Sequence, residues 1–317
     1  MIPRRQFLSS TSLFAAAGAS SLGTAPSSLQ AAAATTPQRF RYSLNLSTIR
    51  GQNLPVDQEI EVAAKAGYDC VEPWIGKIKE YLDKGGNLKD LRKRIDDLGV
   101  TVESAIGFAK WIVDDDAERA EALKEARRDM EWVAALGGHR IAAPPAGATK
   151  EAGLDLDKAG ERYRALLELG DEMNVTPMVE VWGFSANLSR LSESVYVALA
   201  SGHPKACLLA DIYHLHKGGS SIDSLRMLGP QALQVFHFND YPASPPREEI
   251  KDEHRVFCGK GIAPIAELIR IFRAIGANPV LSLELFNKEY WKLDALDCAK
   301  QGLETLKQSV ESVPHEV

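Results

Sequence analysis

Glu180, Asp211, His237 and Glu284 are the residues of this chain whose types could do chemistry together. Each lies near the carboxyl end of a short β-rich run, and the four runs follow one another along the sequence. Three carboxylates and an imidazole gathered in one place repel unless they are protonated or paired with a cation. The economical partner is one divalent metal ion. An oxygen-rich set with one imidazole suits Mn²⁺ first, with Mg²⁺, Co²⁺ and Zn²⁺ within its range. Without thiolate ligands it is not a closed structural zinc site. Such a site acidifies the hydrogen beside a carbonyl, so that one glutamate can remove the proton and another return it. If a β-hydroxyl or alkoxide leaves instead, the same first step ends in elimination. The plainer reading pairs each acid with a Lys or Arg as core filling. It suits any one of the four better than all four together.

The elements that must position them alternate strictly. β-rich runs at Arg41–Ser47, Tyr68–Trp74, Val100–Phe108, Arg140–Pro144, Thr176–Trp182, Ala206–Tyr213, Leu233–Asn239 and Val280–Phe286 are each followed by a helical pattern. Asn87 caps a predicted helix carrying Leu88, Leu91, Ile95 and Leu98, which Gly99 closes. Asp57 opens another that Gly67 ends. Ile265, Leu268, Ile269, Phe272 and Ile275 recur at helical spacing before Gly276. Eight βα units predict an α/β fold of one domain, a closed (β/α)₈ TIM barrel over residues 40–312. The rival, a doubly wound open sheet, lacks a GxGxxG turn after its first strand. Strand phase then sorts the faces. Leu281, Leu283 and Leu285 face the helices, so Ser282 and Glu284 point inward. By the same rule Met178, Glu180 and Trp182 face the axis, as do Leu209 with Asp211 and Val235 with His237 and Asn239.

The chain has 317 residues, 37 basic against 43 acidic, and a formal charge of −6. That balance carries no electrostatic footprint for nucleic acid. Residues 1–33 read as a twin-arginine export signal, with Arg4 and Arg5 ahead of an Ala/Ser/Leu/Gly stretch that holds no acid. This predicts an exported, periplasmic protein. The stretch is too interrupted to span a bilayer, and no later segment does better, so stable membrane insertion is not expected. Removing it takes away two arginines and leaves −8. Residues 34–39 read as a flexible linker and 313–317 as a tail. Cys70, Cys207, Cys258 and Cys298 are widely spaced, which predicts buried thiols rather than a disulfide framework.

The stretches PMVEVWG, LADIYHLHKGG, VFHFNDYP and LSLELFN resemble the xylose-isomerase-like barrel superfamily of sugar isomerases and epimerases, inosose dehydratases and endonuclease IV relatives. The resemblance spans roughly residues 40–310. It implies Glu180, Asp211, His237 and Glu284 as metal ligands, with Glu180 and Glu284 also moving protons at carbon. It implies His214, three residues after Asp211, as a contact to substrate oxygens. The chain departs from the ketose epimerases at Ala186 and Ala243, where they carry Glu and Arg. Its HFNDYP followed by Asp252-x-x-Arg255 is more similar to the inosose-dehydratase side.

Further residues join the expected carbohydrate site. Glu72, inward at the end of the second run, can bond sugar hydroxyls or pair with an Arg inside the barrel. Trp74 and Trp182 can stack on a sugar ring or fill the core. His216 is expected on a solvent-facing loop. The connection from Asp240 to Gly261 is long for a barrel and suits a lid. Arg255 is its first candidate for a substrate or lid contact. The loop's basic and acidic residues balance, which favours an unphosphorylated sugar. The leading reading is a metal-dependent isomerase or epimerase of a keto-sugar. The alternatives are a keto-sugar or inosose lyase on the same site and a non-catalytic periplasmic carbohydrate-binding protein. A homo-oligomer is compatible with all three.

Overall fold

Alternating side chains make each strand two-faced, and the eight strands close into a ring with one face inward. The computed structural model describes residues 39–314. The expected export signal, the linker up to residue 38 and residues 315–317 of the tail lie outside the described residues. The strands are β1 (Tyr42–Asn45), β2 (Cys70–Glu72), β3 (Thr101–Val102), β4 (Arg140–Ala143), β5 (Thr176–Glu180), β6 (Leu208–Asp211), β7 (Leu233–Phe238) and β8 (Val280–Leu283). All pair in parallel, in the order β3-β2-β1-β8-β7-β6-β5-β4. A bridge between Ala105 and Ile141 joins the two ends. The fold is the TIM barrel that the alternation predicted.

The helices wrap the ring as α1 (Val56–Ala66), α2 (Ile75–Asp83), α3 (Leu88–Leu98), α4 (Asp116–Ala135), α5 (Leu156–Met173), α6 (Leu191–Ala200), α7 (Ile212–Gly218), α8 (Ile265–Ala274) and α9 (Ala295–Glu311). Asn87 caps α3 by accepting from the Asp90 N–H at 2.8 Å, and Gly99 ends it in the left-handed region at φ +70°. Helix α1 begins one residue ahead of Asp57, after Pro55, whose ring fixes an extended φ there. Asp57 lies in the first turn, where its charge favours the helix dipole.

Two layers of core follow from strand phase. Cys70, Ile106, Ala142, Met178, Cys207, Leu209, Val235 and Val280 fill the barrel. Their neighbours in sequence pack between strands and helices, as where Phe236 meets Phe272 of α8 edge to face at 5.1 Å. All four cysteines are buried free thiols. Strand β3 is much shorter than the apolar run implied. Pro73 has no N–H for the ladder, and beyond it the chain divides its bonds. Ala105 donates to Arg140 O and Ile106 to Pro73 O.

The long connection after β7 folds back on itself. Asp240 and Val256 exchange backbone hydrogen bonds of 3.0 and 2.8 Å. The buried Asp240 carboxylate accepts from the backbone N–H groups of Tyr241, Gly259, Gly261 and Ala263 at 2.8–3.0 Å. This knot returns residue 255 to the barrel mouth. Asp240→Ala leaves those donors without their acceptor. It is expected to cost about 2–3 kcal/mol of unfolding free energy, read from the urea midpoint, and to speed amide exchange at Gly259, Gly261 and Ala263. Wild-type exchange there would disprove the knot.

Candidate active site

Strand ends deliver the four expected residues to one place. Glu180 and Asp211 close β5 and β6, His237 pairs across from Asp211 on β7, and Glu284 follows β8 directly. His237 Nδ1 is the centre. It lies 3.2 Å from Glu284 Oε2 and 4.0 Å from both Glu180 Oε1 and Asp211 Oδ2. Asp211, His237 and Glu284 offer ligand atoms that all fall within 4.8 Å of one another. Glu180 Oε2 and His237 Nδ1 are buried without a hydrogen-bond partner. Two unsatisfied buried ligand atoms facing converging carboxylates fit a divalent cation. The donor set admits Zn²⁺ as readily as Mn²⁺ and does not single out manganese.

Glu72 is placed differently from the sugar contact expected of it. It is fully buried beneath His237, where His237 Nε2 lies 2.9 Å from Glu72 Oε2. Ser282 Oγ donates to the same oxygen at 2.8 Å and Asn45 Nδ2 at 2.8 Å, while Ser104 donates to Oε1. With every oxygen engaged below the ring, Glu72 orients the imidazole. A proton on Nε2 turns Nδ1 toward the carboxylates, the arrangement that metal-binding histidines use. Asn45 also donates to Glu284 Oε1 at 3.0 Å, and Asn239 Nδ2 to both Asp211 oxygens at 3.1–3.2 Å.

Arg255 enters deeper than a lid contact. It is 1% exposed, and its Nη1 donates to Asp211 Oδ2 at 2.9 Å and Glu284 Oε2 at 2.7 Å. Nη2 donates to Asp252 and lies 3.0 Å from His214 Nε2. The guanidinium sits over the Tyr213 ring at 4.4 Å. Its charge offsets acids that would otherwise oppose one another by about 4 kcal/mol per pair at 4 Å in a medium of intermediate polarity. His214 is buried and accepts from the Gly183 N–H at 3.3 Å. Burial and the Arg255 charge lower it to about 4, so it stays neutral. His216 belongs to α7 rather than a solvent loop, and stacks on Tyr241 with centroids 4.2 Å apart.

The two glutamates are driven apart. Burial pushes Glu180 up to about 8, opposed by the His237 charge and reinforced by Glu284. Burial would raise Glu284 as well, but His237 and Arg255 override it and hold the carboxyl well below the usual range. His237 itself is raised well above an ordinary imidazole, because Glu284 and Glu72 outweigh its burial.

These groups floor a cavity of about 400 Å³. Glu180, His214, Arg255 and Glu284 line it, and so do Trp74 and Trp182, both half-buried. Trp74 Nε1 donates to Asn45 Oδ1 at 2.9 Å. The wall continues through Phe108, Phe184, Phe286 and Trp291, which sequence reasoning missed, although Phe108 and Phe286 end two of the β-rich runs and Phe286 shares the phase of Glu284. Asn45 and Ser104 were also missed, although Asn45 ends its strand in the inward phase. Larger grooves of about 640 and 700 Å³ are lined by the starts of α4 and α5 and the loops before them, and share no residue with this cavity.

Residues 60–309 match the xylose isomerase-like TIM barrel family model, and the chain belongs to that family. It is 27% identical over 271 residues to an inosose isomerase of Bacillus velezensis, covering 84% of this chain and 94% of that one. The crystal structure of an IOLI protein with a bound zinc atom superposes with a TM-score of 0.80 at 23% identity, over 87% of this chain and all of the other. The structure of an L-ribulose 3-epimerase gives 0.71 at 20% identity, over 87% and 96%. With its inosose isomerase relatives the chain is an enzyme of the isomerase type.

Glu180 and His237 both hold protons at neutral pH, and a cation needs their lone pairs. Adding Mn²⁺ or Zn²⁺ to chelator-stripped protein is therefore expected to release protons near pH 7, with affinity rising as pH climbs through about 8. Titration calorimetry in two buffers of different ionisation enthalpy reads the release; binding with no proton released would refute the ligand set. Glu72→Gln is expected to weaken metal binding roughly 10–100-fold with the circular dichroism unchanged.

Proposed function

We propose that the protein is a divalent-metal-dependent isomerase or epimerase of a keto-sugar or a ring-shaped polyhydroxy ketone such as an inosose. The observation that carries this reading is the pair Glu180 and Glu284. They line one cavity from strands three apart, so both carboxyls can reach one bound substrate. Two carboxyls at one substrate can serve in turn as base and as acid.

Glu180, Asp211, His237 and Glu284 would hold the ion. When bound, it would polarise the carbonyl and the adjoining hydroxyl and so acidify the hydrogen on the carbon between them. Manganese is the first candidate from the oxygen-rich donors, and the zinc of the IOLI protein is its rival. Glu284, ionised and kept in place by Asn45, takes the proton from carbon. Glu180, whose Oε2 has no partner, is the second acid–base group and returns to carbon a proton drawn from solvent. Return to the same carbon gives an epimer, and return to the neighbouring carbon moves the carbonyl. His214, neutral and buried, is positioned to bond a substrate oxygen. The inosose isomerase relatives support a cyclic ketone, and the paired charges at the mouth support one without phosphate.

The reaction is placed outside the cytoplasm by the reading of residues 1–33 as an export signal, supported by Arg4 and Arg5 ahead of an acid-free stretch. Residues 1–36 fused to green fluorescent protein are expected to send it to the periplasm, and Arg4→Lys with Arg5→Lys to keep it in the cytoplasm.

Proton NMR in D₂O of the Mn²⁺-loaded or Zn²⁺-loaded protein with a panel of inososes and keto-sugars is the decisive experiment. Deuterium is expected on the carbon beside the carbonyl. An ultraviolet-absorbing enone among the products would show elimination, and binding without exchange would leave a carbohydrate-binding protein. Glu284→Gln, which removes charge at nearly constant volume, is expected to slow exchange by roughly 10²–10⁴-fold. Undiminished exchange would overturn its role as base.

A further inference from the structure

The cavity has two chemically distinct halves, and the proposed reaction uses only one. Its floor is polar, made by Glu180, His214, Arg255 and Glu284. Its wall is an unbroken arc of rings. Phe286 meets Trp74 at 6.0 Å, Trp74 meets Phe108 at 5.3 Å, Phe108 meets Trp182 at 6.1 Å, and Trp182 stacks on Phe184 at 5.2 Å. Phe108 is 43% exposed and Phe184 49%. The other exposed large apolar side chains, such as Leu199, Met227 and Ile262, do not line this cavity. Phe108 and Phe184 flank one tryptophan at the entrance to the acid–base pair. Single exposed hydrophobes are ordinary, but a joined aromatic surface at a concave site marks a ligand contact.

We propose that this arc is a subsite for a second ring, so that the substrate is a keto-glycoside whose cyclic aglycone lies on Phe108, Trp182 and Phe184 while its sugar reaches the floor. This rests on the acid–base reading for the placement of the sugar. A cavity of about 400 Å³ falls in the range of roughly 300–1,000 Å³ usual for ligands larger than one small ring. The aromatic side offers π-faces, which match an aromatic ring or the apolar face of a second sugar, while Lys251, Asp252, Glu253 and Lys288 line the rest of the mouth. A phosphate in that position meets few free cations, because Lys288 is paired with Glu253 and Arg255 with Asp211, Asp252 and Glu284, which leaves Lys251 alone among the basic residues lining the cavity. A protein partner covering the arc would close the way to Glu180 and Glu284.

The test uses the metal-loaded full chain and the quenching of tryptophan fluorescence by three probes: methyl β-glucoside, phenyl β-glucoside and cellobiose. One of the two-ring probes is expected to bind roughly tenfold or more tightly than methyl β-glucoside. Preference for phenyl β-glucoside would identify an aryl aglycone, and preference for cellobiose a second sugar. Phe108→Ala and Phe184→Ala, both at exposed positions that do not hold the core, are expected to shrink that margin severalfold. Equal affinity for all three probes, no binding by either two-ring probe, or a margin that survives both substitutions overturns the proposal. Inosose exchange in D₂O separates this from the acid–base reading. Lost ring preference with exchange intact strikes the subsite alone, and absent exchange with ring preference intact strikes the chemistry alone.

Discussion

Everything at the mouth of this barrel depends on keeping like charges together. Glu72, Glu180, Asp211 and Glu284 are all buried, facing one imidazole and one guanidinium. The mutual repulsion of such a group would unfold a protein whose whole stability is only about 5–15 kcal/mol. His237 resolves it by standing between layers, one nitrogen on Glu72 below and the other amid the three acids above. Arg255 supplies the second positive charge from a loop. The polar residues around them, Asn45, Ser104, Asn239 and Ser282, spend their hydrogen bonds on these acids. The site is a stack of charge layers, and the strands are its scaffold.

The same arrangement explains why a long loop is tolerated beside the chemistry. Twenty-odd residues after β7 would wander at some entropic cost, yet the Asp240 carboxylate gathers four backbone N–H groups and pairs the return leg with the strand end. Arg255 is held by its side chain and by its carbonyl, which accepts from Asn287 Nδ2 at 2.9 Å. A flexible guanidinium would find the carboxylates only part of the time. One anchored from two sides behaves as a fixed part of the site.

Much of this was legible in the sequence because strand periodicity is two. Glu180, Asp211, His237 and Glu284 could be placed on one axis from their phase against Val179, Phe236 and Leu283. Phase, however, gives the face and not the height. Glu72 shares the inward phase, but its carboxylate meets the far nitrogen of His237 and stays out of the cavity lining, which phase alone does not say. Arg255 was recognisable as a functional residue, but its depth follows from the Asp240 knot, which no local pattern announces. Phe108 and Phe184 lie in irregular chain past their strands, where neither period two nor period 3.6 applies.

The ring of strands is not equally strong all the way round. Seven of its junctions are laddered, while β3 and β4 meet through the single bridge at Ala105 and Ile141. In a ring of eight, the joint diametrically across from that seam is β7–β8, which carries His237 and leads into Glu284. The least-paired joint of the wall therefore lies on the side that bears none of the four converging ligands. The barrel is built like a split collar, its gap set away from the laddered arc that carries His237 and leads into Glu284.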